Sequence, residues 1–209
     1  MVGSPVPIGT YGSRRTITSS TQINLAGNSI QATLTDDGHV AESWVYQQTG
    51  QKIVGFDMEW RPCFKKRGSQ NKTSLLQLCT DNGCLIIQML FLDFMPEALV
   101  GFLKDPEIKL VGAGVRADVA KLQRNHGLES RDPVELGRLA AKKFGRQKLK
   151  KAGLKGLAIE VLGLNLPKSK TVSMSNWASR KLQEKQIEYA CIDAFVSFWI
   201  GKKLLEHEN

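Results

Sequence analysis

Hydrophobic and polar residues follow two different periods along this chain. Apolar side chains alternate with polar ones, or form short β-branched runs, mainly in the first half, which predicts strands there. The predicted strands span residues 16–25, 29–34, 53–60, 75–79, 84–89 and 108–111. Ala26-Gly27-Asn28 and Asp81-Asn82-Gly83 separate neighbouring strands and are typical of hairpin turns.

Apolar residues recur with helical spacing mainly in the second half. The predicted helices span residues 37–48, 96–103, 116–126, 133–144, 154–162 and 183–205. The predicted elements are strands first, then strands alternating with helices, and finally helices. This order is typical of one α/β domain with a mixed sheet flanked by helices, here beginning with a β-hairpin. We place this single domain at residues 13–209 and expect residues 1–12 to form a flexible tail.

Composition narrows the protein class without identifying an activity. The 209 residues are 42% hydrophobic and 23% charged, which is ordinary for a globular protein and excludes disorder. No stretch approaches the roughly 18 apolar residues that a membrane span needs. The four cysteines show no paired CxxC spacing, so we expect buried thiols rather than a zinc site. The residues before Asp36 include Arg14, Arg15 and many Ser and Thr, a composition that resembles a transit peptide. The predicted hairpin favours a folded segment instead.

The net charge of +9 is consistent with a polyanionic partner such as nucleic acid, although a merely soluble basic protein explains it equally well. Two segments contain aromatic and basic side chains that could contact single-stranded nucleic acid: the one that follows residue 59 and residues 142–151. These candidates are Trp60, Phe64, Lys65, Lys66, Arg67, Lys148, Lys150 and Lys151. The competing interpretation of the second group is a solvated loop.

Two carboxylates in the strand at residues 53–60 are the strongest chemical signal. Asp57 and Glu59 share one face of the strand, whereas Phe56, Met58 and Trp60 share the other. Two acids on one face repel each other and raise each other's pKa, unless divalent cations bind between them. Ordinary surface acids on an edge strand are the alternative, but the apolar neighbours favour a central strand.

Three more candidates have ordinary structural explanations when each is taken alone. Asp118 lies in the first turn of a predicted helix, where acids are favoured. Tyr189 and Asp193 are four residues apart, so they project from one helix face and could form a surface pair.

Together, however, these residues resemble the three motifs of the DnaQ-like 3′–5′ exonucleases. The matching segments are Gly55–Trp60, Gly114–Leu122 and Tyr189–Ala194, and the spacing of Tyr189 matches the tyrosine (DEDDy) subclass. Residues 75–79 and Ser175-Asn176-Trp177 fit the same group, which includes Werner-syndrome-type exonuclease domains and ribonuclease D. The resemblance spans about residues 53–204 and implies an RNase H-like fold.

The resemblance also implies a mechanism. Asp57, Glu59, Asp118 and Asp193 would hold two Mg²⁺ or Mn²⁺ ions, and Tyr189 would orient the attacking water. The expected product is a 5′-nucleotide released from a 3′ end. The alternatives are an RNase H-type endonuclease and a catalytically silent nucleic-acid-binding scaffold, although a scaffold has no reason to keep four clustered acids.

The choice of substrate rests on a narrower resemblance, to the small plant RISC-interacting clearing exoribonucleases. It implies single-stranded RNA as substrate, a hexameric ring, association with Argonaute, and a cytoplasmic location with the nucleus as alternative. Werner-type cleavage of DNA is the competing expectation, because the residues themselves do not distinguish the two nucleic acids.

Overall fold

The computed structural model describes residues 15–63, 71–167 and 169–205. The predicted tail at residues 1–12 therefore lies outside the described residues. So do four of the predicted nucleic-acid-binding residues, Phe64, Lys65, Lys66 and Arg67.

The described residues form one mixed sheet whose strands largely match the predicted ones. The strands are β1 (Thr18–Leu25), β2 (Asn28–Thr35), β3 (Ile53–Glu59), β4 (Leu75–Thr80), β5 (Gly83–Gln88), β6 (Lys109–Gly112) and β7 (Val134–Glu135). Their order across the sheet is β1-β2-β5-β4-β3-β6-β7. β3 is central, with β4 antiparallel on one side and β6 parallel on the other. This position confirms the expectation that the acidic strand is not an edge.

Helices cover both faces of the sheet and create two cores. The helices are α1 (Gly38–Tyr46), α2 (Glu97–Lys104), α3 (Val115–His126), α4 (Leu136–Phe144), α5 (Leu154–Leu157), α6 (Lys170–Ser173) and α7 (Glu184–Leu205). α1, α2 and α3 pack on one face through residues such as Trp44, Phe102 and Leu122. α4, α5 and α7 pack on the other face, around the fully buried Trp177. The predicted α/β fold class is thus confirmed.

The predicted helix at residues 133–144 is wrong at its start. Val134 and Glu135 instead pair with β6 as a two-residue strand, and α4 begins only at Leu136. The sequence pattern could not show this pairing, because its partners Val111 and Gly112 are more than 20 residues away along the chain. The predicted helix at residues 154–162 is α5 followed by a π-helical turn (Ala158–Leu162). The structure also adds a 3₁₀ helix (Gln147–Lys151) and α6, which the pattern did not predict.

Helix α7 lies unusually close to β3. A Cβ atom on Gly55 would sit 2.1 Å from the carbonyl oxygen of Ala194, so only glycine fits at this position. This contact fixes which turns of α7 face the acidic end of β3. Within the described residues, no helix has the length and apolar character needed to cross a membrane.

Candidate active site

The carboxyl end of β3 presents Asp57 and Glu59 toward α7. Side chains alternate along a strand, so both acids lie on the same face as Gly55, which α7 covers. The opposite face carries Phe56 and Met58, which are buried against α1, α2 and α3. Both carboxylates are partly exposed, so solvent and a ligand can reach them.

Tyr189 and Asp193 approach these acids from α7. The Tyr189 side chain hydrogen-bonds to that of Asp193, one helical turn further along. Burial raises the pKa of Tyr189 most, and the negative charges of Asp193, Glu59 and Asp57 raise it further. The structure thus brings four of the five predicted catalytic residues into one electrostatic neighbourhood, in which Tyr189 remains a neutral phenol.

The segment before α7 holds the Tyr189 ring. The ring of Trp177 lies 5.9 Å from that of Tyr189, and the indole Nε1 donates to the carbonyl oxygen of Ser173 at 3.1 Å. Gln186 on α7 donates to Ser175 Oγ at 2.9 Å. These contacts give the Ser175-Asn176-Trp177 stretch a role in placing Tyr189.

Asp118 lies at the same edge of the sheet, in the first turn of α3. This helix follows β6, which is parallel to β3, so the carboxyl ends of both strands meet at one edge. Gly114 caps α3 with φ +90°, a conformation that favours glycine, and its N–H donates to Glu135 Oε1 at 2.8 Å. Burial, followed by the charge of Glu135, raises the pKa of Asp118 to about 7, and Lys121 opposes this shift.

Lys121 connects the Asp118 side of the site to Trp60. Its ammonium lies 4.7 Å from the centre of the Trp60 ring and donates to the carbonyl oxygen of Asn71 at 2.7 Å. Lys121 is only 4% exposed, so its charge is held between α3 and the end of β3. Trp60 as a whole is partly exposed.

The backbone of the 3₁₀ helix packs against the start of α4. A Cβ on Gly137 would lie 2.8 Å from the carbonyl oxygen of Leu149 and 3.1 Å from that of Lys150. The 3₁₀ helix therefore lies against the first turn of α4, which begins directly after Glu135. Lys148, Lys150 and Lys151 are all exposed.

The acids are not assembled into a ready-made metal cage. Across the described residues, no three His, Cys, Asp or Glu side chains are grouped closely enough to hold an ion. Their chemistry nevertheless suits Mg²⁺ or Mn²⁺, because carboxylate oxygens are hard ligands and Mg²⁺ is usually held by one or two carboxylates, waters and substrate phosphates. An open donor set of this kind fits an ion that arrives with its substrate.

Sequence analysis assigned no role to three residues of this region: Glu135, Lys121 and Gln77. Glu135 was hidden because its two-residue strand was taken for helix. Lys121 lies in the matching segment Gly114–Leu122, but nothing in the local pattern shows that it is buried. Gln77 is a polar residue in a strand whose residues are all buried, a signal that was visible in the sequence.

Comparison with known proteins agrees with this geometry. The family model described as 3′–5′ exonuclease matches residues 33–207. A 3′–5′ exonuclease of Arabidopsis thaliana is 31% identical over 157 residues, which cover 75% of this chain and 54% of that protein. The bifunctional 3′–5′ exonuclease/ATP-dependent helicase WRN of Mus musculus is 35% identical over 156 residues, covering 73% of this chain and 11% of that protein. This chain thus spans about half or less of these relatives.

Among solved structures, Escherichia coli RNase D, an exoribonuclease involved in structured RNA processing, superposes with a TM-score of 0.69. It is 21% identical, and the match covers 83% of this chain and 44% of that one, which supports the fold. The residues matched by the family model include all three motifs found in the sequence. This chain therefore belongs to the DnaQ-like 3′–5′ exonuclease family.

Proposed function

We propose that this protein is a metal-dependent exoribonuclease that hydrolyses single-stranded RNA from its 3′ end and releases 5′-nucleotides. One observation carries the proposal: Tyr189 hydrogen-bonds Asp193 while Asp57 and Glu59 act on the same phenol from the end of β3. A neutral phenol beside converging carboxylates is the arrangement needed to orient a water for attack on a phosphodiester.

The carboxylates supply the metal-binding function. Asp57, Glu59, Asp118 and Asp193 would hold two Mg²⁺ or Mn²⁺ ions, which supply Lewis-acid stabilisation of the attacking and leaving oxygens when bound. Without an ion, Asp118 with a pKa of about 7 is about half protonated at neutral pH. Its proton must leave before its carboxylate can act as a ligand.

Tyr189 positions water and does not remove its proton. Because burial and three carboxylates raise its pKa, the hydroxyl stays protonated at neutral pH. Its bond to Asp193 fixes the direction of the phenol oxygen, and the ring of Trp177 limits its movement. A positioned phenol can therefore orient the attacking water relative to the phosphorus atom.

The substrate contacts combine an aromatic platform with positive charge. Trp60 is partly exposed beside Glu59 and offers a ring for base stacking. Lys148, Lys150 and Lys151 offer exposed charges for phosphates of the strand. Lys65, Lys66 and Arg67 remain candidates that lie outside the described residues. Removal of the three lysines of the 3₁₀ helix should flatten the salt dependence of RNA binding.

RNA is favoured over DNA by the similarity in fold to an exoribonuclease, RNase D. The RISC-linked role, the hexameric ring, binding to Argonaute and the cytoplasmic or nuclear location rest on the plant resemblance alone and stay predictions. The single domain at residues 13–209, inferred from the pattern of strands and helices, also stays a prediction.

One experiment tests the activity, its polarity and its sugar preference together. Matched RNA and DNA strands, labelled at either end, are incubated with Mg²⁺ and the product ladders are compared. We expect 5′-labelled RNA to shorten stepwise, 3′-labelled RNA to release a labelled mononucleotide at once, and EDTA to stop both. Shortening of DNA alone would assign a DNA exonuclease instead. Tight binding without shortening, in excess Mn²⁺, would indicate a silent scaffold.

A further inference from the structure

Gln77 on β4 carries a buried side-chain amide. Its exposed fraction is 0%, and among the described residues neither its Oε1 nor its Nε2 has a hydrogen-bond partner. Every other residue of β4 is buried as well, so water does not reach this amide from the strand. An amide left unpaired in an apolar core is unfavourable, and a polar group of the neighbouring site that turned toward it would remove this cost.

The register of the sheet places that amide beside Asp57. Gln77 and Asp57 are directly opposed in the antiparallel β3–β4 pair, so their side chains lie on the same face. That face is the one covered by α7, since β4 residues Leu75 and Cys79 belong to the α7 core while Leu76 and Leu78 belong to the other. Directly opposed Cβ atoms are about 4.5–5.5 Å apart, a gap that a glutamine side chain spans.

We propose that Gln77 is a positioning residue for Asp57, donating from Nε2 to the Asp57 carboxylate when that carboxylate turns to hold a divalent cation. The inference rests on the proposed metal-dependent function. A neutral amide suits this task, because it holds a carboxylate in one orientation without adding charge to an acidic site. Since Gln77 is fully buried, it does not contact RNA and acts only through Asp57.

If Gln77 positions Asp57, its replacement by an apolar residue should lower activity without lowering stability. Gln77→Met keeps the volume and removes both unpaired polar atoms, so a purely structural glutamine predicts equal or greater stability and unchanged catalysis. The proposal predicts equal or greater stability together with lost function. Partners that orient metal ligands are typically worth about 10- to 100-fold in metal affinity or activity.

The experiment compares the wild-type chain, Gln77→Met and Leu78→Met. Leu78 is the next residue of β4 and faces the other core, so its variant reports what a methionine does to this strand without approaching Asp57. Melting temperature, Mn²⁺ affinity by calorimetric titration, and kcat and KM on RNA are measured for each. For Gln77→Met we expect an unchanged or higher melting temperature, roughly 10-fold weaker Mn²⁺ binding, roughly 10-fold lower kcat and an unchanged KM. For Leu78→Met we expect wild-type Mn²⁺ affinity and kcat.

Wild-type Mn²⁺ affinity in Gln77→Met would overturn the inference, and a lowered melting temperature with reduced kcat in that case would assign the loss to packing alone. Weaker Mn²⁺ binding in Gln77→Met that Leu78→Met shows equally would overturn it too. If Gln77→Met does not fold, Gln77→Leu takes its place. A wild-type chain that neither binds Mn²⁺ nor shortens RNA would instead refute the proposed function, and this inference with it.

Discussion

Gly55 of β3 and Ala194 of α7 lie so close together that a single methyl group would not fit between them. A Cβ built on Gly55 falls 2.1 Å from the carbonyl oxygen of Ala194 and 2.6 Å from the backbone nitrogen of Phe198. Asp57 is two residues beyond Gly55, and Asp193 immediately precedes Ala194. The approach of the two backbones therefore determines how closely the acids of the strand meet those of the helix.

Gly55→Ala should push α7 away from the sheet. We expect a loss of about 2–3 kcal/mol in the free energy of unfolding, because backbone atoms must move to admit the methyl group. Activity should fall as well, since Tyr189 and Asp193 move with the helix. Gly101→Ala is the matched control: nothing lies within 4 Å of its Cβ, and alanine there favours helix α2. Urea unfolding of both variants would contradict the prediction if their free energies changed alike.

Asp57→Asn should abolish most of the activity while leaving the fold intact. Removing one of several like charges relieves repulsion in the metal-free site, so we expect stability to be unchanged or slightly higher. Loss of a charged ligand should lower the rate of RNA shortening by roughly 100-fold or more. Glu107→Gln provides the control, because Glu107 is exposed and lies 3.6 Å from Lys52 in a surface ion pair. Product ladders at equal protein concentration measure both rates, and equal rates would refute the role of Asp57.

Tyr189→Phe keeps the ring that packs against Trp177 and removes only the hydroxyl. We expect kcat to fall about 10- to 100-fold with RNA affinity nearly unchanged, because the water loses its orienting group. Tyr46→Phe on α1 is the control, since Tyr46 is 66% exposed. A Tyr189→Phe variant with wild-type kcat would show that the phenol oxygen takes no part in the reaction.

The raised pKa of Asp118 predicts a pH-dependent stability in the absence of divalent cations. Its pKa is about 7 in the folded protein against 3.8 for an unperturbed aspartate. As pH rises from about 4 to 7, the unfolded chain releases this proton before the folded one does, so stability falls with pH. Allowing for partial exposure, we expect a fall on the order of 2 kcal/mol that Asp118→Asn removes.

Urea unfolding in EDTA at pH 4 and pH 8 measures this difference. Other groups also titrate in this range, so the slope of the wild type is compared with that of Asp118→Asn. Identical slopes in the two proteins would show that Asp118 titrates near its ordinary pKa.

Arg180→Met should destabilise the fold by leaving a buried charge unpaired. Asp36 is 0% exposed, and its Oδ2 lies 2.7 Å from the Arg180 guanidinium, which also donates to the carbonyl oxygen of Arg15 at 2.8 Å. Breaking a buried pair from one side costs about 3–5 kcal/mol. Lys52→Met breaks an exposed pair and should cost less than about 1 kcal/mol. Chemical unfolding compares the two, and equal losses would mean that burial of Asp36 adds nothing.

Much of the fold follows from local patterns. The β1–β2 and β4–β5 hairpins, the strand with the acids and the last helix all lie within a few residues of their predicted bounds, because alternation and helical spacing act over short distances. The errors occur where pairing is distant: β7 needs β6 as a partner, and the ion pair of Asp36 with Arg180 joins residues at opposite ends of the chain.

By itself, the sequence determined that Asp57 and Glu59 share one face of a buried strand and that Tyr189 and Asp193 share one face of a helix, since backbone geometry alone sets both periods. Only the tertiary structure decided that these two faces meet, that the charge of Glu135 acts on Asp118, and that Gln77 is enclosed opposite Asp57. These contacts depend on how closely α7 approaches the sheet and on which strands are neighbours. These are properties of packing between distant segments, which no local pattern contains.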